Sequence, residues 1–116
     1  GETALMFFAG QFSHAIRKGP LLRRGEGSTQ ALFAAETISA RMAPADEQRV
    51  AEQALGAIPF GVPLYARVDL IRDAANQPCV LELELVEPSL FFAHASGSAD
   101  RFASCISVAV TSLPVR

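Results

Sequence analysis

Leu64-Tyr-Ala-Arg-Val-Asp-Leu-Ile71 and Cys79-Val-Leu-Glu-Leu-Glu-Leu-Val86 are two apolar stretches that between them carry three carboxylates, Asp69, Glu82 and Glu84. Both alternate in the way strands do, and successive side chains of a strand point to opposite faces. Glu82 and Glu84 therefore share a face, as do Arg67 and Asp69. A four-residue loop, Ala74-Ala75-Asn76-Gln77, pairs Asp73 with Pro78 and so sets Asp69 opposite Glu82 and Arg67 opposite Glu84. Directly opposed residues project to one face, with Cβ atoms roughly 4.5–5.5 Å apart. Like charges that close repel unless a cation lies between them, and Mg²⁺ takes oxygen ligands while keeping waters and phosphates in its shell. Two readings stay open on geometry alone: a metal site, or a solvated sheet face above a hydrophobic one. A one-residue slip of register would separate the carboxylates.

Working outward, Ala4 to Phe8 is apolar, Ala9-Gly10 follows, and Gln11 to Lys18 resumes, which reads as a β-hairpin. Alternation places Phe12, His14, Ile16 and Lys18 on one face and Ser13, Ala15 and Arg17 on the other. Gly19 to Gln30, with its Gly, Pro and Arg residues, reads as a mobile surface loop. Phe33 to Ile38 reads as a short strand or edge segment. Pro44 to Ile58 has a proline in its first turn, Asp46 and Glu47 where the helix dipole favours acids, and Val50, Ala54 and Ile58 at helical spacing. A last helix is expected from Ser98 to Ser112, with Phe102, Ile106, Ala109 and Val110 inward. The order ββ, loop, α, ββ, α predicts an α+β fold, an antiparallel sheet with helices packed on one face and the carboxylates on the other.

The chain has 116 residues, a length that suits a single domain with one core. Half its residues are hydrophobic and its net charge is −2, so a globular fold is expected and a nucleic-acid surface built on phosphate contacts is not. The apolar stretches are short and interrupted, so no membrane association is expected. Cys79 and Cys105 form no CxxC pair and read as small core residues with reduced thiols, which fits a cytoplasmic protein. Gly25-Glu-Gly-Ser-Thr lacks the spacing of a phosphate loop, no HExxH is present, and no nucleophile elbow marks a serine triad. His14 reads equally as a hydrogen-bonded, partly buried histidine or as a substrate contact.

The segment from Tyr65 to Asp73, followed by Pro78-Cys-Val-Leu-Glu-Leu-Glu-Leu-Val-Glu-Pro88, resembles the C-terminal part of the ATP-grasp ligases, in particular their glutathione-synthetase-like branch. That family carries an Asp on one strand and E-x-N on the next, with a Pro four residues after the Asn. Asp69, Glu82 and Pro88 match these positions, and Glu84 stands where the family has Asn. The resemblance implies that Asp69, Glu82 and Glu84 are metal ligands and that the cofactors are ATP and Mg²⁺, with Mn²⁺ as an alternative ion. The Glu at position 84 keeps an oxygen ligand and adds charge, which leaves the number of ions open. Phe12-Ser-His-Ala-Ile-Arg-Lys18 resembles the family strand whose basic side chain approaches the transferred phosphate. Arg17 and Lys18 lie on opposite faces, so one of them is expected there.

By the same resemblance Lys18, Leu81 and Glu82 contact the nucleotide, and Lys18, Arg17 and Arg67 are the catalytic cations. Arg67 reads equally as a structural ion pair with Glu84. The resemblance covers nearly the whole chain but only part of such an enzyme. A fragment of a protein roughly two to three times as long is therefore expected, inactive alone, with an exposed surface that promotes homo-oligomers. The implied function is an ATP- and Mg²⁺-dependent carboxylate–amine (or thiol) ligase working through an acyl phosphate on small-molecule carboxylate and amine substrates. The alternative is a non-catalytic binding or assembly module with an acidic surface patch. An unrelated metallohydrolase is disfavoured by the lack of a histidine–carboxylate ligand set.

Overall fold

A computed structural model describes residues 1–19 and 37–114. Strands β1 (Glu2–Phe8), β2 (Gln11–Lys18) and β3 (Ile38–Arg41) precede helix α1 (Ala45–Gly56). Strands β4 (Tyr65–Arg72) and β5 (Pro78–Glu84), a 3-10 turn (Phe92–His94) and helix α2 (Ser98–Thr111) follow. The five strands form one sheet in the order β3-β2-β1-β4-β5, and every neighbouring pair is antiparallel. The α+β class and the antiparallel sheet are therefore as the sequence predicts. Residues 20–30 of the expected loop and 33–36 of the expected edge segment lie outside the described residues. Ile38, the last residue of that segment, opens β3.

β1 is the central strand, and its unbroken apolar run suits a position covered on both sides. Leu5 and Phe7 face one way and pack with Ala15, Ala66, Val68 and Leu70 beneath Ala51 of α1. Ala4 and Met6 face the other way and pack with Ile16, Leu90 and Phe91. Fully burying each of the large side chains stabilises the fold by about 1.5–3 kcal/mol. α1 starts after Pro44, with Asp46 and Glu47 in its first turn, and lies across the first of these faces. α2 meets the sheet at one end of the second face, so the two helices do not pack on one face as the sequence predicts, because Phe8 projects away from Phe7 and the α1 side. There Phe102 stacks on Phe8 at 4.9 Å and meets Tyr65 edge-on at 5.9 Å.

Several side chains sit elsewhere than alternation and periodicity suggest. On α2 the partly buried residues are Phe102, Cys105 and Ala109, while Ile106 and Val110 are exposed. Cys79 is exposed on the edge strand β5 and is not a core residue. Phe12 packs edge-on against Phe7, on the α1 side, and does not share a face with His14. The cause is a bulge. Phe7 pairs with Phe12 but Met6 pairs with His14, so Ser13 is an extra residue in β2. A bulge of this kind inverts the facing of everything beyond it.

The β4–β5 connection differs in a similar way. Arg72, not Asp73, pairs with Pro78, and the link is Asp73–Gln77. Asp73 Oδ1 accepts hydrogen bonds from the backbone N–H groups of Ala75 and Gln77, both at 2.8 Å, and Asn76 takes a left-handed φ of 59°. This is the chemistry for which turns use Asp and Asn. Continued without interruption, that register would oppose Asp69 to Leu81. A bulge at Leu81 restores the pairs Asp69–Glu82 and Arg67–Glu84 that the sequence predicts.

Among the described residues the α1 face holds one buried carboxylate. Glu47 is 2% exposed, and its Oε1 accepts from Arg41 Nη2 of β3 at 3.2 Å and from Arg72 Nε of β4 at 3.1 Å. Asp46 is held below its ordinary carboxyl range, first by its hydrogen bond from Arg72. The helix start is thereby fastened to two strands that are not neighbours in the sheet.

Candidate functional site

The opposite face carries the charged cluster. Asp69 of β4 is 1% exposed, and both its oxygens are engaged. Arg67 Nε donates to Oδ1 at 2.8 Å, Arg67 Nη2 donates to Oδ2 at 2.9 Å, and Lys18 Nζ donates to Oδ2 at 2.6 Å. Arg67 Nη2 also lies 2.7 Å from Glu84 Oε2, and Lys18 Nζ lies 3.4 Å from Glu2 Oε2. Glu82, opposite Asp69 in the register, is exposed beside them. Burial pulls the Lys18 ammonium toward neutrality, but the hydrogen bond and charge of Asp69 outweigh it and hold the group above its ordinary range. Arg67 behaves in the same way. Burial acts against its charge, while Asp69 first, then Glu84 and Glu82, keep it fully protonated.

The strand geometry explains which of the predicted residues meet. Lys18 reaches this face because the extra residue Ser13 puts Lys18, and not Arg17, opposite Glu2. Arg17 pairs with Thr3, so its side chain points to the α1 side. Glu82 and Glu84 reach the face because the Leu81 bulge turns them to the side of Asp69, and Leu81 itself is left 53% exposed. Arg67 forms the expected ion pair with Glu84 and lies within the cluster. Sequence reasoning missed Glu2, which the hairpin register without a bulge places one residue out of line with Lys18. It also missed the segment after β5, where Ser89 O accepts from Arg67 Nη1 at 3.3 Å and the Phe91 ring lies 5.7 Å from the Arg67 guanidinium carbon.

His14 is buried next to this segment. Its Nε2 lies 2.8 Å from Leu90 O, and its Nδ1 lies 2.8 Å from Ser13 Oγ. Desolvation, the largest influence, lowers its pKa, and the nearby Arg101 charge adds to the shift. Of the two roles left open by the sequence, the geometry fits the hydrogen-bonded histidine.

The donor set suits a hard divalent cation. Among the described residues four carboxylates, Asp69, Glu2, Glu82 and Glu84, face two cations, Lys18 and Arg67, which leaves these six side chains a formal charge of −2. A carboxylate offers about four lone-pair sites, and the three hydrogen bonds to Asp69 leave one on Oδ1. Glu84 Oε2 is buried and, despite its closeness to Arg67, has no hydrogen-bond partner. Among the described residues no group of three His, Cys, Asp or Glu side chains already encloses one point. Mg²⁺ does not require such a cage, because one or two carboxylates with substrate phosphates and water complete its shell.

No protein-family model matches the sequence. The cycloserine biosynthesis protein DcsG of Streptomyces lavendulae is 41% identical over 111 residues, which are 91% of this chain and 36% of that protein. The crystal structure of D-cycloserine synthetase DcsG superposes with a TM-score of 0.80 at 36% identity, over 95% of this chain and 38% of the other. The ATP-grasp ligase PsnB, solved with a phosphomimetic variant of its minimal precursor, Mg and ADP, shares the fold at a TM-score of 0.63 and 17% identity, over 91% of this chain and 32% of its own. No helix among the described residues is long and apolar enough to cross a membrane. The chain is a relative of the ATP-grasp ligases and spans between 32% and 38% of the length of these relatives.

Proposed function

We propose that the chain forms the phosphate- and Mg²⁺-handling part of an ATP-dependent ligase, one that joins a small-molecule carboxylate to an amine or thiol through an acyl phosphate. The observation that supports this is the charge surplus among the described residues of one sheet face, where four carboxylates surround two buried cations. Relation to a D-cycloserine synthetase supports a small-molecule substrate. Asp69, Glu82 and Glu84 would hold Mg²⁺, or Mn²⁺ in its place. When bound, the ion would offset the charge of the ATP phosphates.

The chain's own residues have separate tasks. Lys18 and Arg67 present fixed positive charge to a transferring phosphoryl group, and phosphoryl transfer depends mainly on positioning and charge stabilisation. Asp69 keeps both cations protonated and directs them, because it is hydrogen-bonded to each. Leu81, pushed outward at the bulge beside Glu82, offers an apolar contact to the nucleotide. Arg17 faces away and takes no part.

A second reading, a binding or assembly module, is favoured by the near-saturation of Asp69 by its own cations. Calorimetry separates the two. ATP is titrated with and without Mg²⁺ into the full-length polypeptide that carries this chain, as wild type, Asp69→Asn and Glu82→Gln. Binding that needs Mg²⁺ and is lost in both variants supports the ligase. A folded wild type that binds no nucleotide would sink it in favour of the module.

A further inference from the structure

The segment that follows β5 is strained and held from outside. Glu87 and Phe91 both take left-handed backbone angles, with φ of 55° and 50°, although neither is glycine. Such residues persist where the surroundings over-determine them. Between them, Leu90 packs on Ala4, Met6 and Ile16. Three contacts tie this strap down. Ser89 O accepts from Arg67 Nη1 at 3.3 Å, the Phe91 ring lies 5.7 Å from the Arg67 guanidinium, and Leu90 O lies 2.8 Å from His14 Nε2.

Donor counting fixes the histidine tautomer. Arg101 of α2 donates to Ser13 Oγ from Nη2 at 3.1 Å and from Nε at 3.3 Å. A guanidinium has no acceptor, so the Ser13 hydroxyl hydrogen is free to point at His14 Nδ1, 2.8 Å away. Nδ1 then accepts, and the ring proton sits on Nε2, where it donates to Leu90 O. The chain Arg101–Ser13–His14–Leu90 thus ends on the strap that touches Arg67.

We infer that His14 is a positioning residue: through Leu90 O it holds the 87–91 strap in its strained form, and the strap sets the plane of the Arg67 guanidinium. The functional weight of this rests on the role proposed above for Arg67, but the clamp itself is measurable without substrate.

The test uses nitrogen-15 spectra of the imidazole and guanidinium groups in wild type, His14→Phe and His14→Gln. Phe keeps the aromatic packing against Phe8 and removes the donor, whereas the Gln side-chain amide can donate from about the place of Nε2. The wild type is expected to show His14 as the Nε2–H tautomer. His14→Phe is expected to shift the Arg67 Nε–H signal and the Ser89 and Phe91 amides while α1 stays unchanged, and His14→Gln to return them toward wild type. An Nδ1–H tautomer, or an Arg67 signal indifferent to His14→Phe, overturns the inference. Should His14→Phe fail to fold, the wild type decides. A slowly exchanging Nε2 proton and a hindered Arg67 guanidinium support the clamp, and a rapidly exchanging proton with a freely rotating guanidinium overturns it. Calorimetry with Mg²⁺ and ATP is run in parallel on the wild type. Clamp signals without nucleotide binding reject the ligase and keep the clamp, and the reverse result rejects the clamp alone.

Discussion

Among the described residues the sheet buries one carboxylate on each face, and the two are built alike but balanced differently. Glu47 takes Arg41 and Arg72 from β3 and β4, and Asp69 takes Lys18 and Arg67 from β2 and β4. Around Glu47 the only further acid among the described residues is Asp46, so two acids there meet two cations and the charge closes to zero. Around Asp69, among the described residues, a different pair of cations meets four acids. The first cluster is a fastening between helix and sheet. The second carries excess negative charge that folding alone gives no reason to collect. Buried ion pairs contribute little net stability against an apolar replacement, so a cluster with surplus like charge makes better sense as a binding site.

That contrast can be broken from either side. The largest effect on stability is expected for Glu47→Ala, which strips the shared carboxylate from Arg41 and Arg72. A loss of about 3 kcal/mol is expected, at the low end for a broken buried pair because both arginines reach solvent. The urea midpoint reads it, and nucleotide affinity should survive wherever the fold does.

Asp69→Asn should cost less, about 1–2 kcal/mol, since Glu2 and Glu84 remain beside the two cations. Its larger consequence is the loss of Mg²⁺-dependent ATP binding. A stability loss equal to that of Glu47→Ala with binding intact would place both clusters in the same structural class.

Glu84→Gln sharpens the comparison further. It removes one of the surplus charges and relieves a buried oxygen without a hydrogen-bond partner. Stability without Mg²⁺ should change by no more than about 1 kcal/mol, with the sign toward stabilisation, because the Glu84 side chain is 30% exposed. The stabilisation that Mg²⁺ and ATP add to the wild type should shrink in this variant, as measured by the shift in melting temperature on adding both.

The smallest expected effect is the pH dependence set by His14. Its folded pKa lies below the ordinary value of 6.5, so the unfolded chain binds the proton first as pH falls. Stability is therefore full above the unfolded pKa and declines as pH drops from about 6.5 toward the folded pKa, before the ordinary carboxylates titrate. Urea midpoints of wild type and His14→Gln across that window check the sign, and the variant should lose the slope.

Much of this molecule was legible without a structure because its signals are local. Apolar runs punctuated by Ala9-Gly10, Pro44 and Asp73 to Pro78 mark the strands, the turns and the start of α1. Alternation within Leu64–Ile71 and Cys79–Val86 places Arg67 with Asp69 and Glu82 with Glu84. The Glu47 cluster was not legible. Arg41, Glu47 and Arg72 are spread over three elements, and only the folding of α1 across the sheet brings them together.

The sequence by itself determined which side chains each strand offers to a face. The tertiary structure decided which strands offer them to the same face. Two single-residue bulges did so, at Ser13, which turns Lys18 rather than Arg17 toward Asp69, and at Leu81, which brings Glu82 and Glu84 there as well. The physical reason is that a strand's alternation is fixed by its own backbone, whereas a bulge depends on the partner strand and on what both must bury. One extra residue inverts every side chain beyond it.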